Sequence, residues 1–426
     1  MTEPHPVCDA PAGLIALDEA VARLVAGIVP VSAVERVGLD QARGRVLAND
    51  LLSTLDLPPF TASAMDGYAL RAEEAVPGAW LRVTGTALAG RPHTGVLAAG
   101  DCIRIFTGAC LPRGADAVVI QEDTLRESDG VRLQLSMPVP PGANVRRQGE
   151  ELTAGTPLLR AGTRLGPAEV GLLATIGCAE IEVLRRPRVA LFVTGDELCE
   201  PGQPLTEGGI YESNRPVMRA LLSELGMALL DFGIVRDDPD ALRQALERAA
   251  DEADVILTAG GASVGEADFV VETLRELGRV EFWKVAIKPG KPFVCGRIGD
   301  TPVMGLPGNP VSMMVTFDQL ARPALLALAG LQPPRPLRLD AVCGTRLRKS
   351  PGRLEFQRGR FSEEAGQLSV VGLRGQGSHR LTSMSLANCY IVLPVDSAGV
   401  EPGERVVIEP FGYGLHASAA AAEQQE

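Results

Sequence analysis

Aromatic side chains make up only 4% of the chain, histidine occurs four times, and no two cysteines form a CxxC pair. So few aromatics argue against a stacking platform for single-stranded nucleic acid. The eight cysteines (Cys8, Cys102, Cys110, Cys178, Cys199, Cys295, Cys343 and Cys389) are scattered, so with so few histidines a structural zinc site is not expected. They read as buried or incidental thiols in a reducing cytosol. No stretch of about 18 uninterrupted apolar residues is present, so no membrane span is predicted. The opening MTEPHPVCDAPAG lacks the basic start and apolar core of a secretion signal, and the expected location is the cytoplasm. Positive charge is in the minority, 41 Lys and Arg against 53 Asp and Glu, for a net charge of −12. That balance speaks against general binding of nucleic acid or anionic membranes, while leaving room for a local basic pocket. Two nucleotide motifs are missing as well. There is no GxxxxGK[ST], and no GxGxxG follows a strand with an acidic residue about twenty positions on, which disfavours an ATPase or a nicotinamide dehydrogenase.

What is present reads as globular. Hydrophobic residues supply 46% of 426 positions, enough for roughly two to four domains. Leu17, Val21, Leu24, Val25 and Ile28 recur at helical spacing before Pro30. Between 51 and 150 short β-rich runs (LRVTGTAL, CIRIFTG, AVVIQ, VRLQL) are separated by glycine and proline and predict an all-β insert. A helix is expected after Pro167, with Val170, Leu173 and Ala174 on one face.

From Arg188 the pattern changes to apolar strands alternating with helices: VALFVTG, a helix over 215–225 with Val217, Leu221, Leu222 and Leu225 inward, LLDFGIV, a helix over 239–250, DVILTAGG, PVMGLPG, and a long helix from Pro310 to about Ala329. This alternation implies a mostly parallel sheet covered on both faces. QPPRP at 332–336 reads as a linker, followed by five β runs of a small β domain. Residues 413–426 read as a disordered tail.

Three glycine-bearing turns follow strands of the α/β region: Thr194-Gly195-Asp196-Glu197-Leu198, Gly260-Gly261-Ala262-Ser263-Val264-Gly265, and Gly305-Leu306-Pro307-Gly308-Asn309-Pro310. Such sheets bind ligands at the carboxyl ends of their strands, where glycine admits a phosphate close to bare N–H groups. Between the second and third turns, Lys284, Lys288 and Lys291 stand among glycines and prolines and suit a phosphate or oxyanion. Solvated surface lysines are the plain alternative. Glu197, Asp237 and Asp268 lie in or beside these elements; each alone fits a helix cap or a surface charge, and together they suit Mg²⁺ beside a phosphate. In the insert, Pro58 to Ala69 (PPFTASAMDGYA) reads as a hairpin connection around Asp66-Gly67. Arg146-Arg147 before Gly149 would either grip a phosphate or cover a surface.

Taken together, SAMDGYA, IFTGA, RRQGEE, TGDEL, YESN, GGASVGEADF, KPGKP and GLPGNPVS resemble, in order and approximate spacing, the molybdopterin molybdenumtransferase family: bacterial MoeA and the C-terminal domain of gephyrin. The resemblance runs from about residue 14 to 411. It implies the last step of molybdenum cofactor synthesis, in which adenylylated molybdopterin and molybdate give the cofactor plus AMP with a divalent cation, usually Mg²⁺. Matched residue by residue, it implies catalytic roles for Asp66, Thr107, Glu151, Glu197, Asp237 and Asp268, the last three also as metal ligands. For substrate binding it implies Arg146, Gly195, Gly260, Gly261, Ser263, Gly265, Lys284, Lys288, Lys291, Pro307, Gly308, Asn309 and Pro310, with Arg358 (or Arg360) and Ser378 at looser spacing. Two departures are Thr61-Ala62, where relatives often carry Asp-Asn, and Glu151, where many carry Asp.

The implied fold is multidomain α/β plus β. A discontinuous helical segment spans 7–50 and 150–184, the β insert 51–149, a mostly parallel α/β domain 185–331, and a β-barrel-like domain 332–412. A homodimer is implied in which the insert of one subunit helps complete the cleft of the other. Contacts with the molybdopterin adenylyltransferase and with molybdoenzyme maturation factors are further expectations. The alternatives are a non-catalytic molybdopterin-binding scaffold and a molybdopterin adenylyltransferase. The insert and the C-terminal β domain speak against the second, which is a single domain.

Overall fold

A computed structural model describes residues 13–260 and 269–412, which fall into two units. One holds residues 38–40 and 47–181; the other holds the chain up to and including Val37, residues 41–46, and the chain from Glu182 on.

The first unit is built on a six-stranded sheet of β1 (Gly67–Leu70), β2 (Trp80–Ala87), β3 (Asp101–Ile105), β4 (Ala117–Ile120), β5 (Thr124–Arg126) and β6 (Gly130–Leu133), ordered β4-β1-β3-β2-β6-β5. The expected all-β insert is therefore present, with one correction. The segment read as a hairpin connection contains β1, an interior strand paired antiparallel on both sides. All four of its residues are buried, so the polar–apolar alternation that marks a half-buried strand is absent. Gly67 is required there, because a Cβ would lie 2.0 Å from the Val119 carbonyl oxygen. The helix α2 (Pro167–Thr175) forms as expected behind Pro167, but Ala174 is exposed and Leu173 with Ile176 is buried instead.

In the second unit, α1 (Leu17–Gly27) buries Leu17, Ala20 and Leu24. A mixed six-stranded sheet then forms from β7 (Arg188–Thr194), β8 (Ala228–Val235), β9 (Val255–Ala259), β10 (Arg279–Lys284), β11 (Pro292–Ile298) and β12 (Thr301–Leu306). Its order is β8-β7-β9-β12-β11-β10, with the first four parallel and β11 and β10 antiparallel. The mostly parallel sheet is as expected; the two antiparallel strands at one side of it, which bracket the lysine segment, are additional.

Helices cover both faces. In α3 (Asn214–Leu225) Met218, Leu221, Leu222 and Leu225 are buried, Val217 is only half-buried, and Gly226 ends the helix in the left-handed conformation at φ 76°. In α4 (Pro239–Glu252) the Asp238 side chain caps the Ala241 N–H at 2.9 Å, Pro239 occupies the first turn, and Leu242, Leu246 and Ala249 form the buried stripe. Burying each of those leucines contributes about 1.5–3 kcal/mol. After α5 (Phe269–Leu277), the long C-terminal helix comes in pieces: α6 (Pro310–Thr316), a π turn over Phe317–Ala321, and α7 (Arg322–Leu328). Pro323 has no N–H for the Gln319 carbonyl, and the wider turn absorbs that loss without ending the helix.

The C-terminal region closes into a barrel. β13 (Leu339–Cys343), β14 (Leu354–Glu364), β15 (Gln367–Gly372), β16 (Cys389–Leu393) and β17 (Arg405–Pro410) pair in the ring β14-β15-β13-β17-β16-β14 around Val370, Cys389, Ile391 and Ile408. Closure removes free sheet edges from this domain. One extra strand, Ile287–Lys288, leaves the lysine segment and adds in parallel to β14.

Candidate active site on the carboxyl rim of the parallel sheet

Register sets the rim. Val193 pairs with Ala259 and Ala259 with Leu306, so the turns after β7, β9 and β12 leave the sheet at one end. There they touch. The Gly260 N–H donates to the Leu306 carbonyl at 3.2 Å, and a Cβ on Gly260 (φ 95°) would lie 2.4 Å from the Thr194 carbonyl oxygen. A Cβ on Gly308 would come within 3.5 Å of the Gly260 Cα. Gly195, Gly260, Pro307, Gly308, Asn309 and Pro310 are thus brought together. Gly261, Ser263, Gly265 and Asp268 lie outside the described residues.

Asp196 and Glu197 leave β7 beside Asp237, which follows β8. The Asp237 N–H donates to Asp196 Oδ1 at 3.3 Å. Burial pushes the Asp237 carboxyl up, and the negative charges of Asp196 and Glu197 push it further, against the pull of the Asp196 backbone N–H, which donates to it. A cation relieves such repulsion on Asp237. Among the described residues, however, no group of three or more His, Cys, Asp or Glu side chains is spaced to hold a metal ion.

The YESN string carries no residue-level assignment from sequence alone. In the structure Glu212 is buried, Asn214 donates its side-chain amide to the Gly308 carbonyl at 2.6 Å, and Arg215 bridges Glu200 and Asp231. Asn214 thereby ties α3 to the third glycine turn. Six buried polar atoms among the described residues lack a hydrogen-bond partner. Four of them, Thr194 Oγ1, Asn214 Oδ1, Glu212 Oε2 and Arg215 Nε, lie on or next to this rim. The last two face each other at 3.8 Å, too long for a hydrogen bond. Natural interiors rarely leave such atoms orphaned, so these atoms are open to partners supplied at the rim. The sequence signal was Glu212-Ser213-Asn214 just before a helical run, which reads equally well as a cap.

The lysines stand at the same end of the sheet, because Lys284 pairs with Pro292 and Val294 pairs with Gly305. Lys291 is exposed, Lys284 half-buried, and Lys288 reaches Glu355 of β14, Nζ to Oε1 at 3.2 Å. Arg358 is only 1% exposed. Its side chain donates to Ser383 Oγ at 3.1 Å and to the carbonyls of Gly377 and Gly375 at 3.2 and 3.4 Å, and burial pushes its pKa down to about 10. It holds the loop that ends at Ser378, whose carbonyl accepts from Val311 N–H in the first turn of α6 at 3.0 Å. Arg360 also lies on β14, opposite Val371 of β15.

In the other unit, Asp66 and Thr107 meet through two hydrogen bonds. Arg146 pairs with Glu150 at 3.1 Å, and Glu151 is exposed, with its N–H on the Leu57 carbonyl. No described cysteine is in a disulfide, and burial raises the Cys102, Cys295 and Cys389 thiols to about 12, far from any nucleophilic use.

A mostly parallel sheet whose carboxyl rim gathers glycine turns, carboxylates and lysines defines an α/β protein of the kind that takes ligands at that end of the sheet, carried here with a β insert and a C-terminal barrel. Three family descriptions match in succession: "MoeA N-terminal region (domain I and II)" over residues 15–177, "Probable molybdopterin binding domain" over 190–327, and "MoeA C-terminal region (domain IV)" over 340–411. A molybdopterin molybdenumtransferase of Haemophilus influenzae is 39% identical over 94% of this chain and 99% of its own. Molybdopterin molybdenumtransferase 2 of Mycobacterium tuberculosis is 37% identical over 91% and 97%. The crystal structure of a molybdopterin biosynthesis MoeA protein from Pyrococcus horikoshii superposes with a TM-score of 0.81, at 31% identity over 93% of this chain and all of that one. The chain belongs to the molybdopterin molybdenumtransferase family.

Proposed function

We propose that this protein transfers molybdenum from molybdate to adenylylated molybdopterin with release of AMP. One observation carries the reading: the orphaned polar atoms of the second unit concentrate at the rim where the three glycine turns converge, beside a repelling carboxylate cluster. A non-catalytic scaffold would have no need for carboxylates held in mutual repulsion.

The residues divide the work by charge. N–H groups of the turns at Gly195 and Gly308, with Lys284, Lys288 and Lys291, hold the phosphoanhydride, which Gly260 lets approach closely because it has no side chain, and balance charge as its P–O bond breaks. Asn214 fixes the Gly308 turn against α3. Glu197 and Asp237, with Asp268, would hold Mg²⁺, which would supply Lewis-acid stabilisation of the phosphate oxygens. Molybdate, a tetrahedral dianion, takes the basic end near Lys288 and the Ser378 loop; as the two dithiolene sulfurs bind molybdenum, one oxo ligand leaves as water with the two thiol protons. Arg358 acts by fixing that loop. A cytoplasmic homodimer completes the reading, with Asp66, Thr107, Arg146 and Glu151 serving the partner's cleft. Contacts with the adenylyltransferase that supplies the substrate, and with maturation factors that accept the product, are consistent with it.

The deciding experiment mixes the purified protein with adenylylated molybdopterin and Mg²⁺ and follows AMP with and without molybdate. Molybdate-dependent release is expected. Tight binding of the nucleotide with no release under any metal would leave the scaffold reading in its place.

A further inference from the structure

The Lys288–Glu355 pair joins two domains of one unit. Backbone pairing brings them face to face: Ile287 pairs with Leu354 and Lys288 with Glu355, the Leu354 N–H donates to the Ala286 carbonyl at 3.0 Å, and Arg353 Nη1 reaches the Ile287 carbonyl at 3.3 Å. The two side chains differ sharply in exposure. Glu355 is 6% exposed, whereas Lys288 is 46% exposed. A buried carboxylate draws the nearest cation strongly, while a half-exposed lysine stem keeps room to move.

Glu355 does not depend on Lys288 alone. The Gln357 amide donates to the same oxygen at 3.0 Å. Lys349, its ammonium fixed on the carbonyls of Ser350, Val395 and Ser397, is close enough to feel the Glu355 charge. Burial lowers the Lys349 pKa, and the like charges of Lys288 and Arg353 lower it further. Cations therefore crowd this carboxylate, and it keeps partners when one ammonium departs.

We propose that Glu355 is a displaceable counter-ion: it holds the Lys288 ammonium on the barrel until a multiply charged anion at the rim draws it away. Glu355 is a positioning residue, acting on the ligand only through Lys288, and this rests on the reading of Lys288 as an anion-binding group. The arrangement discriminates by charge. A monoanion competes poorly with a carboxylate already 3.2 Å from the ammonium, whereas a phosphoanhydride competes well.

The test titrates inorganic pyrophosphate, which carries the phosphoanhydride and no other part of the substrate, into the full chain and its Glu355→Gln, Glu355→Asp, Lys288→Gln and Lys288→Gln/Glu355→Gln variants. Removing the competing charge should tighten pyrophosphate binding about tenfold in Glu355→Gln, and the double variant should match Lys288→Gln alone, since no ammonium remains to be released. Glu355→Asp, which keeps a buried charge but withdraws it by one methylene, should show a smaller gain, and it serves if the glutamine variant does not fold. Weaker or unchanged binding in both Glu355 variants, with Lys288→Gln impaired, overturns the counter-ion and leaves the lysine reading intact. Lys288→Gln binding as well as the unaltered protein, or no binding by any variant, overturns the lysine reading and the counter-ion together.

Discussion

Asp66 Oδ1 accepts two hydrogen bonds from one residue, the amide N–H and the hydroxyl of Thr107, each at 2.7 Å. The amide first, and then the hydroxyl, holds the Asp66 carboxyl below its ordinary value, so the carboxylate persists further into acid. Thr107→Val removes the second donor and leaves the first. The acidic limb of the AMP-release profile should therefore move to higher pH, with little change above neutrality, where Asp66 is ionised in both proteins. A limb that stays in place would remove Asp66 ionisation from the list of rate-setting events.

Asp237 shifts the other way. Its carboxyl is raised by burial and by Asp196 and Glu197, so ionising it opposes folding. The sign follows from linkage: the penalty is absent below the ordinary aspartate range, where the group is protonated in both states, and is present in full above the raised value. Asp237→Asn should melt higher than the unaltered protein at pH 7, lose that advantage on acidification, and lose molybdate-dependent AMP release. Paired melting curves at neutral and acid pH, beside the activity assay, check the prediction. A site that is destabilised in order to act is expected to show this opposition.

Gly260 has no room for a side chain. A Cβ would meet the Thr194 carbonyl oxygen at 2.4 Å and sit at φ 95°. Gly260→Ala should lose roughly 2 kcal/mol of stability or more, and should weaken ligand binding because Thr194 and the Leu306 carbonyl are displaced together. Gly177→Ala, also at positive φ (75°) but with open space around it, is the control: backbone strain without the clash.

A shared cleft makes a distinctive forecast for mixtures. Asp66→Ala and Glu197→Ala should each be inactive. If one subunit supplies Asp66 to its partner's rim, co-refolded mixtures would contain dimers with one intact cleft, and activity should recover to about a quarter of the unaltered value. No recovery in a mixture shown to exchange subunits would place both residues in a cleft of a single chain.

The strands of the parallel sheet were legible because strands buried on both faces are almost continuous apolar runs, as in Val189 to Val193 and Val255 to Ala259. The helix α4 was legible for the opposite reason, with its cap, its Pro239 and its stripe all in agreement. Legibility failed where a conspicuous string masked its surroundings. The lysine segment drew the eye by its charge, and the strands beside it, β10 and β11, carry no comparable pattern. β1 was hidden because its four residues are all buried and half of them are small. At the site, sequence pattern found the glycines and charges, since these carry recognisable chemistry. It did not find the contact of Asn214 with Gly308, which joins residues 94 positions apart. Nor did it foresee that Arg358, a charged residue, would be among the largest fully buried side chains.

The strand Ile287–Lys288 has no partner in its own domain's sheet; it pairs with β14, some seventy residues later in the chain. During synthesis the sheet of the α/β domain can assemble while that partner is still being made. The pairing of Lys288 with Glu355 then forms only once the barrel emerges, so the glycine turns precede the counter-ion that holds this lysine.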